Sequence, residues 1–307
     1  MNRIDEGFCH WMNPFNANQL FRVPMGADDV AAIVFWTRNA GPMLPDVARL
    51  QNAGYAFYTQ YTINGYPREI EHRSPEVERA IETLRALSDA TAPERVIWRY
   101  DPIILSSATP PEYHFERFEA LAGEISGAVR DVYISFCDPY GRTERHFKAM
   151  SERLGWTFEF GARGQHIEMA TRMAEIAAAR DMQLYSCAEA GLDIPGIRRG
   201  SCIDPNLVAE LRPDLDFHLK AAPTREGCGC VQAVDIGSFD TCVFGCEYCY
   251  ANNSLDLPQR RMKEHDPSDS MLWRPPSLRG EDLSEIAGDQ KSARIERRQG
   301  GEQLSIL

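Results

Sequence analysis

No apolar run in this 307-residue chain approaches the ~20 residues that a membrane-spanning helix needs. Positive charge is also short. Lys and Arg number 33 against 45 Asp and Glu, a net charge of -12, which argues against a surface that seeks nucleic acid in general and leaves only a local basic groove open. The opening stretch, MNRIDEGFCHWMNPF, has no apolar centre and does not read as a secretory leader, so the cytoplasm is the default compartment. Nine cysteines in a reducing compartment do not form a disulfide framework. There is no serine nucleophile elbow and no phosphate-binding glycine loop. None of the seven histidines is paired at zinc-binding helix spacing. His114, His146 and His166 fall in helical stretches and read as surface or satisfied core groups.

What is present is a regular alternation. Nearly continuous apolar runs at 30–37, 55–62, 95–101, 131–138 and 183–189 read as strands covered on both faces, with 231–237 a weaker sixth. Between them lie amphipathic helices. One has Val77, Ala80, Ile81, Leu84 and Leu87 on one face, with Ser74 as cap and Pro75 in its first turn. A second carries Phe118, Leu121, Ala122 and Ile125 behind Thr109 and Pro110, and a third has Met169, Met173, Ile176 and Ala177. Strands alternating with such helices predict right-handed βαβ units and a parallel sheet. About six units form a barrel or partial barrel, with a doubly wound open sheet as the alternative. The pattern dissolves after residue 253, giving a barrel-like domain over 1–253 and an irregular tail over 254–307, whose end (288–307) reads as mobile.

Five of the nine cysteines fall within 22 residues. Cys242, Cys246 and Cys249 are spaced C-x3-C-x2-C, with Tyr248 before the last. Three thiolates from one loop can hold three irons of a 4Fe–4S cluster and leave the fourth open, whereas zinc ordinarily takes a fourth protein donor. Cys187, Cys202, Cys228 and Cys230 are candidates for a second metal site or cluster, or are buried free thiols. Cys9 and Cys137 read as packing residues.

The stretch CVFGCEYCY, at Cys242, Cys246, Tyr248 and Cys249, resembles the signature of the radical S-adenosylmethionine superfamily. More of the chain, most of 10–270, is similar to the uncharacterised bacterial family called domain of unknown function 1848. The similarity runs through NPFN, AIVFWTRN, ERVIWRYDPII, GSCID, CGC and DIGSFDTCVFGCEYCYAN. Members of that family begin with a further strand carrying a Ser-Arg-Arg-Thr-Asp stretch, which this sequence does not include. These resemblances imply a permuted β/α barrel whose late cysteine loop sits at the C-terminal edge. They also imply a 4Fe–4S cluster with S-adenosyl-L-methionine as cofactor, a deoxyadenosyl radical acting on a small-molecule or macromolecular substrate, and an electron donor such as flavodoxin or ferredoxin. Tyr248 would shield the cluster or pack under the adenine, and Arg38 is a further cofactor contact. The alternatives are a non-catalytic iron–sulfur or zinc module acting as sensor or interaction protein, and an inactive relative.

In a β/α barrel, residues just past each strand share one face. Here they include Arg38, Asn39, Gln60, Asn64, Arg99, Asp101, Asp138 and Glu189. Arg99 and Asp101 are the candidate catalytic pair: the guanidinium grips an anionic group and the carboxylate orients it. They read equally as an internal pair that satisfies buried polarity.

Overall fold

The computed structural model describes residues 1–289 and 295–297, except 15, 17, 18, 190, 218 and 224–226. Of the expected mobile end, 290–294 and 298–307 lie outside the described residues. The chain opens with α1 (Asn2–Glu6) and an antiparallel pair, β1 (Phe8–Met12) and β2 (Leu20–Pro24). Next come β3 (Ile33–Thr37), α2 (Val47–Asn52), β4 (Phe57–Thr62), α3 (Val77–Ala90) and β5 (Val96–Ile103). They are followed by a short β6 (Leu105–Ser106), α4 (Pro111–Ile125), β7 (Asp131–Phe136) and α5 (Gly141–Leu154). A short β8 (Phe158–Glu159), α6 (Arg163–Ala178), β9 (Gln183–Ser186), β10 (Ile197–Arg199) and α7 (Pro205–Leu211) complete the run. Beyond the cysteine loop lie α8 (Leu257–Glu264) and α9 (Leu283–Ile286), and Gly288–Asp289 pairs parallel with β2. Among the described residues no helix is long and apolar enough to cross a membrane.

The main sheet has the order β3-β4-β5-β7-β9-β10, and every pairing in it is parallel. Each strand lies beside its predecessor, whereas a doubly wound sheet must reverse its order once. The fold is therefore α/β and of the partial β/α barrel kind. Right-handed crossovers throw the connecting helices to one face. Leu50 of α2, Leu84 of α3, Phe118 of α4 and Met173 of α6 share one buried cluster with Phe57, Trp98 and Ile134 of the strands. Trp98 is wholly buried, stacks on Phe118 at 4.7 Å and donates its indole N–H to the Ile63 carbonyl at 3.0 Å.

Three local expectations need correction. The sixth strand is β10, not 231–237, where only Val231 makes a bridge, to Ala221. The Gln232 N–H bond to the Lys220 carbonyl belongs to that single bridge, and further along the Gly237 N–H turns back onto the Asp235 carboxylate. Ser74 does not cap α3; Glu76 holds that position, with no side-chain capping bond. Nor does Thr109 cap α4, because its hydroxyl is spent on the Ile104 carbonyl at 2.7 Å.

Candidate functional site

Side chains alternate across a strand, so each strand that gives Phe57, Trp98 or Ile134 to the helices gives its neighbours to the inner face. At the lower level these neighbours are Tyr58, Ile97 and Tyr133, packed with Val208 of α7, which plugs the barrel from inside. Toward the strands' C-terminal ends the inner positions turn polar: Gln60 on β4, Arg99 and Asp101 on β5, Ser135 on β7, then Cys187 just past β9. The polar end is the edge at which β/α proteins carry their chemistry.

Arg99 and Asp101 meet there. Arg99 Nε lies 2.8 Å from Asp101 Oδ2, and Nη2 bonds the same oxygen. Arg99 Nη1 reaches Gln60 Oε1 at 3.3 Å and the Cys202 sulfur at 3.1 Å. Burial works against the Arg99 charge, but Asp101 together with the Cys202 and Cys187 sulfurs more than offsets it and holds the guanidinium protonated. The Ser135 hydroxyl donates to Asp101 Oδ1. The β5–β7 ladder shifts register between Tyr100 and Ile103, which re-aims Asp101 at the strand end. The Arg99 side chain keeps 7% of its exposure and Asp101 keeps 19%, so the carboxylate is the member of the pair that an incoming molecule can touch.

A second buried pair stands beside the first. Arg38 Nη1 lies 2.8 Å from Glu71 Oε1, and the Tyr248 hydroxyl donates to the same oxygen at 2.6 Å. Arg38 Nη2 also bonds the Tyr248 oxygen. Burial pushes the Tyr248 phenol well up, which keeps it a donor. Asn64 links the two pairs. Its Nδ2 lies 3.2 Å from Glu71 Oε1 and 3.1 Å from the Asp101 carbonyl, and its Oδ1 accepts the Asp101 N–H at 2.8 Å. The cavity beside Arg38, Asn64 and Glu71 holds about 50 Å³, room for a few waters but not for a metabolite. The open surface lies above it, over the edge. There Trp36, on the outermost strand, is 51% exposed and Tyr250 is 65% exposed.

Of the other strand-end residues, Glu189 accepts the Phe136 N–H at 2.7 Å and Asn39 accepts the Gly41 N–H at 3.0 Å. Sequence reasoning missed Glu71 and Ser135. Ser135 was findable, because DVYISF alternates and Ser135 falls on the same side as Tyr133. Glu71 carried no signal beyond its place in the loop after β4.

The cysteine loop occupies this edge, although no strand at 231–237 leads into it. Residue 246 pairs with Glu71 in an antiparallel bridge, Arg73 N–H bonds the Phe244 carbonyl at 3.0 Å, and Glu247 N–H bonds the Ile70 carbonyl at 3.0 Å. Its neck is closed by Asp240, whose carboxylate accepts Asn253 N–H at 2.5 Å and Nδ2 at 2.7 Å. The expected metal centre is not formed. Among the described residues no group of three or more His, Cys, Asp or Glu could hold a metal ion. Cys242 is exposed, while Cys246 is turned toward the Tyr248 hydroxyl, and burial pushes its thiol up to about 11. Cys242, Cys246 and Cys249 are thus not cluster ligands. The 4Fe–4S cluster, the S-adenosyl-L-methionine chemistry and the flavodoxin or ferredoxin donor fall with them, as does the iron–sulfur or zinc sensor. Tyr248 and Arg38 belong instead to the Glu71 network.

The second metal centre fails on the same ground, although its cysteines do meet. Cys187 and Cys202 have sulfurs 3.1 Å apart, Cys202 also touches Cys230, and Cys230 touches Cys228. Among the described residues these four are not a group that could hold a metal ion. Burial pushes Cys9 to about 11 and Cys137 to about 12, so both remain thiols.

No curated protein and no solved structure matches this chain. Residues 1–251 match the family described as a domain of unknown function, DUF1848, and the chain belongs to that family.

Proposed function

We propose that this chain is an enzyme of the β/α kind that binds a small polar molecule over the C-terminal edge of its sheet. Asp101 is its proton-handling group and Arg99 the residue that positions it. One observation carries this reading: two buried arginine–carboxylate pairs, Arg99–Asp101 and Arg38–Glu71, are joined through Asn64 at one sheet edge, and Asp101 is left partly open. Buried pairs recover little of their desolvation cost, and stability alone gives no reason to gather two at the mouth of a barrel. Arg38 and Tyr248 form the wall, and Trp36 offers a flat apolar surface for the ligand's less polar side. The domain that does this is 1–253, since every residue of the site lies between Trp36 and Tyr250, and 254–307 is an appendage. All nine cysteines are free, which supports the reducing cytoplasm as its compartment.

The test is retention of small molecules. The purified protein is incubated with a desalted small-molecule extract of cells, washed, and its retained compounds are identified by mass spectrometry. Wild type retains a compound that Trp36→Ala and Asp101→Asn release, with Trp36→Ala still folded as wild type. Equal retention by all three proteins would place binding elsewhere and overturn the reading.

A further inference from the structure

We propose that Cys202 and Cys187 form a dithiol that exchanges with low-molecular-weight disulfides, closing to an intramolecular disulfide beside Arg99. The juxtaposition follows from the sheet. β9 and β10 run parallel with Ser186 opposite Arg199, so the residues just after them emerge at one edge. Cys187 comes next after β9, and Gly200 N–H bonds the Ser186 carbonyl at 2.7 Å, turning the 200–204 segment back over it. The Cys202 carbonyl is fixed by the Tyr58 hydroxyl at 2.8 Å and Gln60 Nε2 at 3.2 Å. The two sulfurs stand 3.1 Å apart. Bond formation at about 2.05 Å asks for roughly one ångström of approach.

Cys202 is the only partly exposed member of the group, and Cys187, Cys228 and Cys230 are buried, so an incoming disulfide meets Cys202 first. The bond from Cys187 and the permanent cation of Arg99, whose Nη1 lies 3.1 Å from the sulfur, lower the Cys202 pKa, but the bond to Cys230 and burial leave it raised overall, so attack needs its proton moved to a neighbouring sulfur. On its other side Cys230 accepts the Ile203 N–H at 3.4 Å and the Cys202 thiol proton, and these two bonds lower the Cys230 pKa. The chemistry is balanced. Cys202 passes its proton to Cys230 and attacks one sulfur of R–S–S–R, forming a mixed disulfide and releasing RS⁻, which takes that proton. Cys187 then attacks the Cys202 sulfur and expels the second RS⁻, which takes the Cys187 proton. Two protein thiols are oxidised and one external disulfide is reduced to two thiols. The arrangement is independent of the small-molecule reading above, because it needs neither Asp101 proton transfer nor Trp36.

The test uses the full chain with oxidised glutathione at pH 8. Free thiols are then blocked with N-ethylmaleimide under denaturing conditions and the protein is mapped by mass spectrometry. Two of the nine thiols should be lost, with Cys187 and Cys202 in one cross-linked peptide pair, and dithiothreitol should restore both. Cys202→Ser should lose none. Cys230→Ser should give the same cross-link several-fold more slowly, which keeps the test meaningful if Cys202→Ser misfolds. Nine alkylatable thiols after oxidation, or a cross-link confined to Cys242, Cys246 and Cys249, would overturn the proposal.

Discussion

At the scale of single residues the chain pays for polar groups placed where water does not reach. Glu71 is 3% exposed and answers to Arg38, Tyr248 and Asn64 at once. Glu71→Gln leaves Arg38 as a buried charge without its partner and should cost roughly 3–5 kcal/mol in urea unfolding; a loss below ~1 kcal/mol would show that the pair is solvated. His114 is fully buried, accepts the Tyr100 hydroxyl proton at Nδ1 (2.9 Å) and donates from Nε2 to the Ile104 carbonyl (2.9 Å). Burial lowers its pKa from 6.5 to about 4. The folded value lies below the unfolded one, so the unfolded chain takes the proton first as pH falls. The His114 contribution is whole above pH 6.5 and is lost on the way to about 4, up to ~3 kcal/mol. Burial raises Asp131 to about 6, which works the other way over part of the same window. The difference between wild type and His114→Gln isolates the histidine: stability of the variant should fall less between pH 7 and 4.5. Parallel curves would contradict this.

At the scale of elements the strands were the most legible part, and short irregular pieces the least. VAAIVFWT and DVYISFCD contain β3 and β7 because a strand covered on both faces must be apolar on both sides. β10 escaped notice because Ile197 is its only apolar residue and Arg198 and Arg199 are exposed. The cysteine loop misled for a physical reason. Spacing puts thiols near one another, but the backbone pairing of residue 246 with Glu71 decides where each points. Gly245 makes that loop possible: its φ is +67°, and a Cβ there would stand 2.9 Å from Leu255 Cδ2. Gly245→Val should therefore loosen the loop by ~1–3 kcal/mol, read as faster amide exchange over 243–249. Unchanged protection would show that the turn tolerates a side chain.

At the scale of the whole molecule, two tryptophans separate fold from site. Trp98 lies in the core between sheet and helices, and Trp98→Ala should destabilise by ~3–5 kcal/mol. Trp36 is half-exposed on the edge strand, and Trp36→Ala should leave stability within ~0.5 kcal/mol. A partial barrel was foreseeable from alternation alone, and so was the gathering of Arg38, Asn64, Arg99 and Asp101 at one edge, since all lie toward or just past the C-terminal ends of strands. The pairing of Arg38 with Glu71 was not foreseeable, whereas that of Arg99 with Asp101 was. Arg99 and Asp101 are two apart on one strand and so share a face, but Arg38 finds its carboxylate in a loop that no pattern marks.

The function proposed for this chain requires a ligand to be handled at the open side of Asp101. A crystal structure of the protein grown with the compound it retains from extract tests this most directly. A ligand atom is expected within hydrogen-bond distance, about 2.6–3.2 Å, of an Asp101 carboxylate oxygen, with the ligand lying against Trp36. A ligand seated instead in the cleft between Glu264 and Arg279, with Asp101 untouched, would contradict it.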